Sequence, residues 1–186
     1  MKKVLIYGLA LAALLCSAAA FAAPKTDVYI GITSAGGKRL PLIAMPQFLA
    51  KGEQATNAAK TVHSTLRADI LYARYFDVST DGPAFDVLGA AGGIEPAKLQ
   101  NVLSQWNKKR ANYLIGGEVT YEEPYYTIKL YVYDVASQTS VFAKAFKGTQ
   151  ASLRLLAHRA SDQIIQMLTG HRGIAETKIA FANNAT

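Results

Sequence analysis

An α/β (α+β) domain, with a mixed β-sheet packed against amphipathic helices, is the fold class this sequence predicts. Three observations predict it. Apolar residues recur at helical spacing in three stretches, 59–73, 99–106 and 153–168. Between the second and third of these, residues 125–133 alternate between apolar and polar side chains, the period of a strand with one core face and one wetter face. Short β-branched or apolar runs at 28–33, 40–45 and 75–78 interleave with the helical stretches, an order that layers one sheet on helices.

The chain opens with a pattern that is not part of such a domain. Lys2 and Lys3 form a positive n-region, Val4 to Leu15 is uncharged and mostly apolar, and Ala20-Phe21-Ala22 supplies small residues at the positions a signal peptidase reads. Residues 1–22 therefore read as a secretory signal peptide cut after about Ala22, and 23–186 as a single domain. The apolar run is shorter than the roughly 20 residues that span a bilayer. Cys16 follows the bulky Leu15 rather than the small residue of a lipoprotein signal, so it reads as a cysteine within the leader. Removal of 1–22 leaves 164 residues with net charge +5 and no cysteine. That excludes a disulfide framework and a thiolate metal cluster, and no second run reaches transmembrane length. The expected location is the bacterial periplasm.

The elements then follow in order. Val28 to Thr33 is a strand ended by Ser34-Ala35-Gly36-Gly37. Leu40 to Met45 is a short strand buried on both faces and closed by Pro46. A helix of about five turns starts near Glu53, with Ala59, Val62, Leu66, Ile70 and Ala73 on its apolar face and Lys60, His63, Arg67 and Asp69 between them. Tyr75 to Val78 is a brief strand and 79–95 a loop. Pro96 suits a first helical turn, and Leu99, Val102, Leu103 and Trp106 mark that helix, with Lys108, Lys109 and Arg110 at its negative end. Asn112 to Thr120 is a strand carrying Gly116-Gly117. Residues 125–146 form a hairpin turning at Ser137-Gln138. The last helix carries Leu153, Leu156, Ala160, Ile164 and Leu168, capped by Gly170. Thr177 to Ala182 is a final strand.

No constellation makes a persuasive enzyme. Residues 31–38 read G-I-T-S-A-G-G-K, but the spacing is one residue too long for a phosphate-binding loop and Arg39 stands where Ser or Thr should hold magnesium. Gly89, Gly92 and Gly93 precede a helix, yet Glu95 and Pro96 make a poor anion cradle. His158 and Asp162 are four apart on a helix, without the third and fourth ligands a metal needs, so they read as a solvated or hydrogen-bonded face. His63 and His171 have no acid or nucleophile beside them in sequence, Glu122-Glu123 reads as a wet turn, and the G-x-S-x-G elbow is absent. No catalytic residue, cofactor or metal ligand is therefore expected. Basic clusters at Lys38-Arg39, 108–110 and 154–159 permit nucleic-acid binding electrostatically, but no RNP-like aromatic motif accompanies them and export removes the protein from cytoplasmic RNA, so no nucleic-acid partner is expected.

The stretch Leu168-Thr-Gly-His-Arg-Gly-Ile-Ala-Glu-Thr-Lys-Ile-Ala-Phe181 resembles the TolB family of the bacterial Tol-Pal envelope system. Its leucine-threonine-glycine, basic residue and glycine, and threonine-basic-isoleucine-alanine strand are the most specific part of the likeness. Upstream, His158-Arg-Ala-Ser-Asp162, Trp106 with Ala111 to Val119, Pro41 to Phe48, Leu66 to Asp69 and Phe76 to Val78 are similar to the family in the same order. The resemblance covers essentially all of 23–186. It implies the family's amino-terminal α/β domain, with helices against a mixed sheet.

In the family a six-bladed β-propeller follows this domain and docks the lipoprotein Pal. Here the likeness ends at Thr186 with the β-propeller absent, so Pal is not carried over as a partner. The family's mature N-terminal segment contacts the C-terminal domain of TolA. Carried over, the partner-binding residues are Asp27, Val28, Tyr29, Ile30, Gly31, Ile32 and Thr33. Such a segment can undock and add as a strand to a partner's sheet edge, or simply form an edge strand of its own domain, and a switch would use both states. The implied function is a non-catalytic periplasmic interaction module supporting outer-membrane integrity and invagination during cell division. The alternative is a stand-alone adaptor that reuses the domain for another envelope partner.

Overall fold

The computed structural model describes residues 39–89 and 93–176. Six strands and three helices fill them: β1 (Leu42–Ala44), β2 (Leu49–Lys51), α1 (Glu53–Ala73), β3 (Asp77–Ser79), α2 (Pro96–Lys108), β4 (Tyr113–Glu122), β5 (Tyr125–Asp134), β6 (Thr139–Gly148) and α3 (Leu153–Thr169). The leader, the 28–33 strand, the 31–38 turn and the 177–182 strand lie outside the described residues.

The sheet is mixed, as the interleaving predicts. Its order is β3-β1-β4-β5-β6, with β2 also on β4. Strand β1 runs parallel to both β3 and β4, while β4–β5 and β5–β6 are antiparallel hairpin pairs. The hairpin register sets Ile128, Leu130 and Val132 on one face, which α1 and α3 cover with Val62, Leu66, Ile70, Leu153, Ala157, Ile164 and their neighbours. Each fully buried Val, Leu or Ile side chain here contributes about 1.5–3 kcal/mol of transfer free energy. The opposite face is covered over its upper half by α2 and the 81–95 loop, through Val102, Leu103, Trp106, Phe85 and Val87 against Leu114 and Tyr133.

Strands β1 and β2 occupy the same side of β4 with an offset. Ala44 pairs with Leu114 and Leu49 with Glu118, so five chain steps face four. The extra residue falls in the Met45–Phe48 link, where Pro46 has no N–H to give a ladder. It inverts the side-chain alternation, so that Phe48 joins the α1/α3 core and Lys51 the other face.

Local rules hold at the element ends. Pro96 occupies the first turn of α2. Gly170 closes α3 at φ 75°, a left-handed conformation that costs glycine least. The sequence reading missed β2, and it placed His63 among the polar residues of α1. His63 is instead buried, its Nε2 3.1 Å from the Met45 carbonyl oxygen and its ring edge-on to Phe48 at 5.0 Å. Either side of residues 90–92 the loop is tied together, since Leu88 and Ile94 form a bridge and Glu95 N–H donates to the Val87 carbonyl.

Candidate functional site

The expected partner-binding residues, Asp27 to Thr33, lie outside the described residues. What the structure shows is the scaffold that follows them, with three clusters of polar chemistry upon it.

The first is a cleft of about 520 Å³ between β2 and the N-terminal half of α1, lined by Phe48, Ala50, Thr56, Ala59, Lys60 and His63 among others. Its floor is apolar because the β1–β2 offset turns Phe48 and Ala50 toward the helix. The imidazole of His63 faces it but is tied to the Met45 carbonyl. The lining carries the hydroxyls of Thr56 and Ser64 but no carboxylate, and Ser64 donates to the Thr61 carbonyl at 3.1 Å rather than to His63.

The second joins α1 to α3. Asp69 Oδ2 lies 2.8 Å from His158 Nδ1 and accepts the Ser161 hydroxyl at 2.7 Å, and Ser161 also donates to the Ala157 carbonyl at 2.9 Å. The residue types are those of a hydrolytic triad, but the connectivity is not. Serine donates to the acid rather than to the histidine, so no base is aimed at its hydroxyl. The cluster is an interhelical clasp. Asp162, four residues from His158, turns away to accept the N–H groups of Ala175 and Glu176 at 2.8 and 3.0 Å. The two residues therefore share no ligand, and the helix face is hydrogen-bonded rather than solvated. His171 stacks on Tyr75 at 5.8 Å. Among the described residues no group of three or more His, Cys, Asp or Glu is arranged to hold a metal ion.

The third was missed by the sequence reading. Glu118, on β4, is fully buried, with Oε1 2.7 Å from Lys51 Nζ and Oε2 3.9 Å from Lys129 Nζ. Neither oxygen accepts a well-aligned hydrogen bond, so the attraction is ionic and must offset a real desolvation penalty. Its signal was present: it is the one carboxylate inside the otherwise uncharged run Tyr113 to Tyr121. Nearby, burial raises the Tyr131 phenol above its ordinary range, the Glu118 charge adds to that and Lys51 opposes it. Burial likewise raises Tyr133, with Tyr131 adding, and Tyr113, with Asp134 adding.

Comparison with known proteins follows the fold. The model of the TolB amino-terminal domain family matches residues 28–141, more than half of the chain. The chain is 30% identical over 184 residues to the Tol-Pal system protein TolB of Geobacter sulfurreducens, covering 98% of this chain and 41% of that one. It is 27% identical over 176 residues to the protein of the same name from Bordetella pertussis, covering 94% and 37%. The chain thus spans about two fifths of the length of these relatives. Among solved structures, TolB from Acinetobacter baumannii superposes with a TM-score of 0.56 at 19% identity, over 73% of this chain and 30% of that one, a likeness of fold. No described helix is long and apolar enough to cross a membrane.

Proposed function

The chain belongs to the TolB amino-terminal domain family, and from that premise we propose that it is a non-catalytic periplasmic interaction module of the Tol-Pal system that binds the C-terminal domain of TolA through Asp27 to Thr33. The observation that carries this reading is the family match, which begins at Val28, within the segment the resemblance assigns to TolA. The chemistry of the segment supports it. Val28, Ile30, Ile32 and Thr33 favour an extended backbone, and an added strand gains affinity from main-chain hydrogen bonds and register from alternate side chains. The module then serves outer-membrane integrity and invagination at division by coupling TolA to the envelope.

The test is a titration of the 23–186 protein with the TolA C-terminal domain of the same organism, beside a variant lacking 23–33. Saturable binding lost in the deletion, with the helical circular dichroism retained, is the expected result. Undiminished affinity in the deletion overturns the assignment of the segment. Absence of binding by 23–186 overturns TolA as the partner.

A further inference from the structure

Among the described residues, α2 and the loop segments flanking it cover the sheet face opposite α1 and α3 over its upper half alone. Below Gly116 and Tyr131 the registers bring Lys51, Thr120, Thr127 and Lys147 into one row across β2, β4, β5 and β6. The next row holds Leu49, Glu118, Lys129 and Ala145. Three strand spacings put the two flanking lysines of the first row about 14 Å apart at their Cα atoms. Lys51 is 50% exposed and Lys129 37% exposed, and Lys147 stands in the open over the Tyr125 ring at 5.1 Å.

We propose that this lower half of the sheet face is a docking surface for an acidic surface of a partner protein. Three observations carry it. First, Lys51, Lys129 and Lys147 stand on this face against the buried Glu118 and, one row further along β4, the exposed Glu122, so the patch keeps a surplus of one positive charge. Second, Glu118 fixes the lysines. It spends its charge inside the sheet and holds Lys51 and Lys129 over the face, which lowers the ordering cost of accepting external carboxylates. Third, the ground between the cations is flat and small: Thr120, Thr127, Ala143 and Ala145 leave room for a partner backbone, with hydroxyls able to donate to it.

The chemistry favours an acidic protein over the other anionic occupants. A bilayer needs several apolar side chains to insert or a denser polybasic cluster, and this face offers three lysines and one exposed ring, Tyr125, with Lys147 over it. A second copy of the 23–186 chain is repelled by its net charge of +5. The surface uses none of the residues Asp27 to Thr33, so the inference is tested apart from the TolA reading.

The experiment titrates isotope-labelled 23–186 with a poly-glutamate peptide of about 15 residues and, separately, with phosphatidylglycerol vesicles. Amide shifts gathered at Lys51, Thr120, Thr127, Lys129 and Lys147 are expected with the peptide. The double variant Lys129→Gln, Lys147→Gln is expected to weaken binding about tenfold, as for two surface ion pairs. A charge-matched variant elsewhere, Lys108→Gln with Arg154→Gln, leaves it unchanged. Shifts centred on the α2 or α3 basic residues, equal losses in the two variants, or no peptide binding overturn the proposal. Vesicle binding lost in the first variant without peptide binding overturns it in favour of a membrane. Shift mapping on the unaltered chain keeps the test valid should a variant fold poorly.

Discussion

The ring of Phe85 lies directly on the backbone of Gly116, so close that a Cβ on that residue would overlap its ring carbons. On the other face of β4 the next residue repeats the arrangement, with a Cβ on Gly117 falling 2.6 Å from the Phe48 ring. Two consecutive glycines thus let an aromatic ring seat on each face of the central strand. Neither glycine has a positive φ, so the requirement is space rather than backbone freedom.

Gly116→Ala is accordingly expected to destabilise the domain by about 1–3 kcal/mol, the usual cost of overpacking a filled core. Urea unfolding measures it. Combining it with Phe85→Leu is expected to recover part of the loss, because the smaller chain vacates the same space. Strictly additive losses would show that the ring is not the obstacle.

The clasp between α1 and α3 makes a second prediction. Asp69→Ala removes the acceptor shared by His158 and the buried Ser161, and is expected to cost about 1–3 kcal/mol. Asp69→Asn keeps an acceptor oxygen and should lose less. Equal urea midpoints for the two variants would show that the hydrogen bonds contribute nothing beyond packing.

Lys51→Met leaves Glu118 buried beside an ammonium 3.9 Å away. A loss of about 1–2 kcal/mol is expected, below that of a fully buried pair because Lys51 is half exposed. Adding Glu118→Gln should return much of it by removing the stranded charge. A double variant no more stable than Lys51→Met would contradict an ionic role for the pair.

Raised phenol pKa values at Tyr113, Tyr131 and Tyr133 fix an alkaline dependence. Their folded values lie above the unfolded value of 10.0, so the unfolded chain releases these protons first. Stability is intact below pH 10 and falls as pH rises from there through the folded values. Absorbance at 295 nm should show tyrosines ionising late in the native protein and together in urea. Coincident titrations in the two states would refute the burial argument.

Elements whose evidence is local were legible in the sequence. The three helices declare themselves by a 3.6-residue period and the β5 strand by alternation, because burial on one face imposes those spacings. Strand β2 was not legible. Three residues, Leu49–Lys51, carry no period of their own, and they become a strand by pairing with Glu118 to Thr120 about 70 positions later. His63 was misread for the same reason, since its neighbours Lys60 and Arg67 look solvated while its own partners, Met45 and Phe48, come from the preceding link. The Asp69 clasp joins residues 89 and 92 apart, a distance across which no spacing rule operates. Of the candidate site, the docking segment was read from likeness alone, whereas Glu118 stood out by charge and was passed over because its lysines lie on other strands.

The surplus residue in the Met45–Phe48 link makes the sheet's wiring a matter of odd and even. Every side chain of β2 owes its face to that count. Deleting one residue there, Gln47 for instance, would carry Phe48 out of the core, turn Lys51 inward and strip Glu118 of its nearer cation in a single stroke. Removing two would restore the parity and merely shorten the arc. Chain length at this point therefore behaves as a two-position toggle, tolerant of paired changes and closed to single ones.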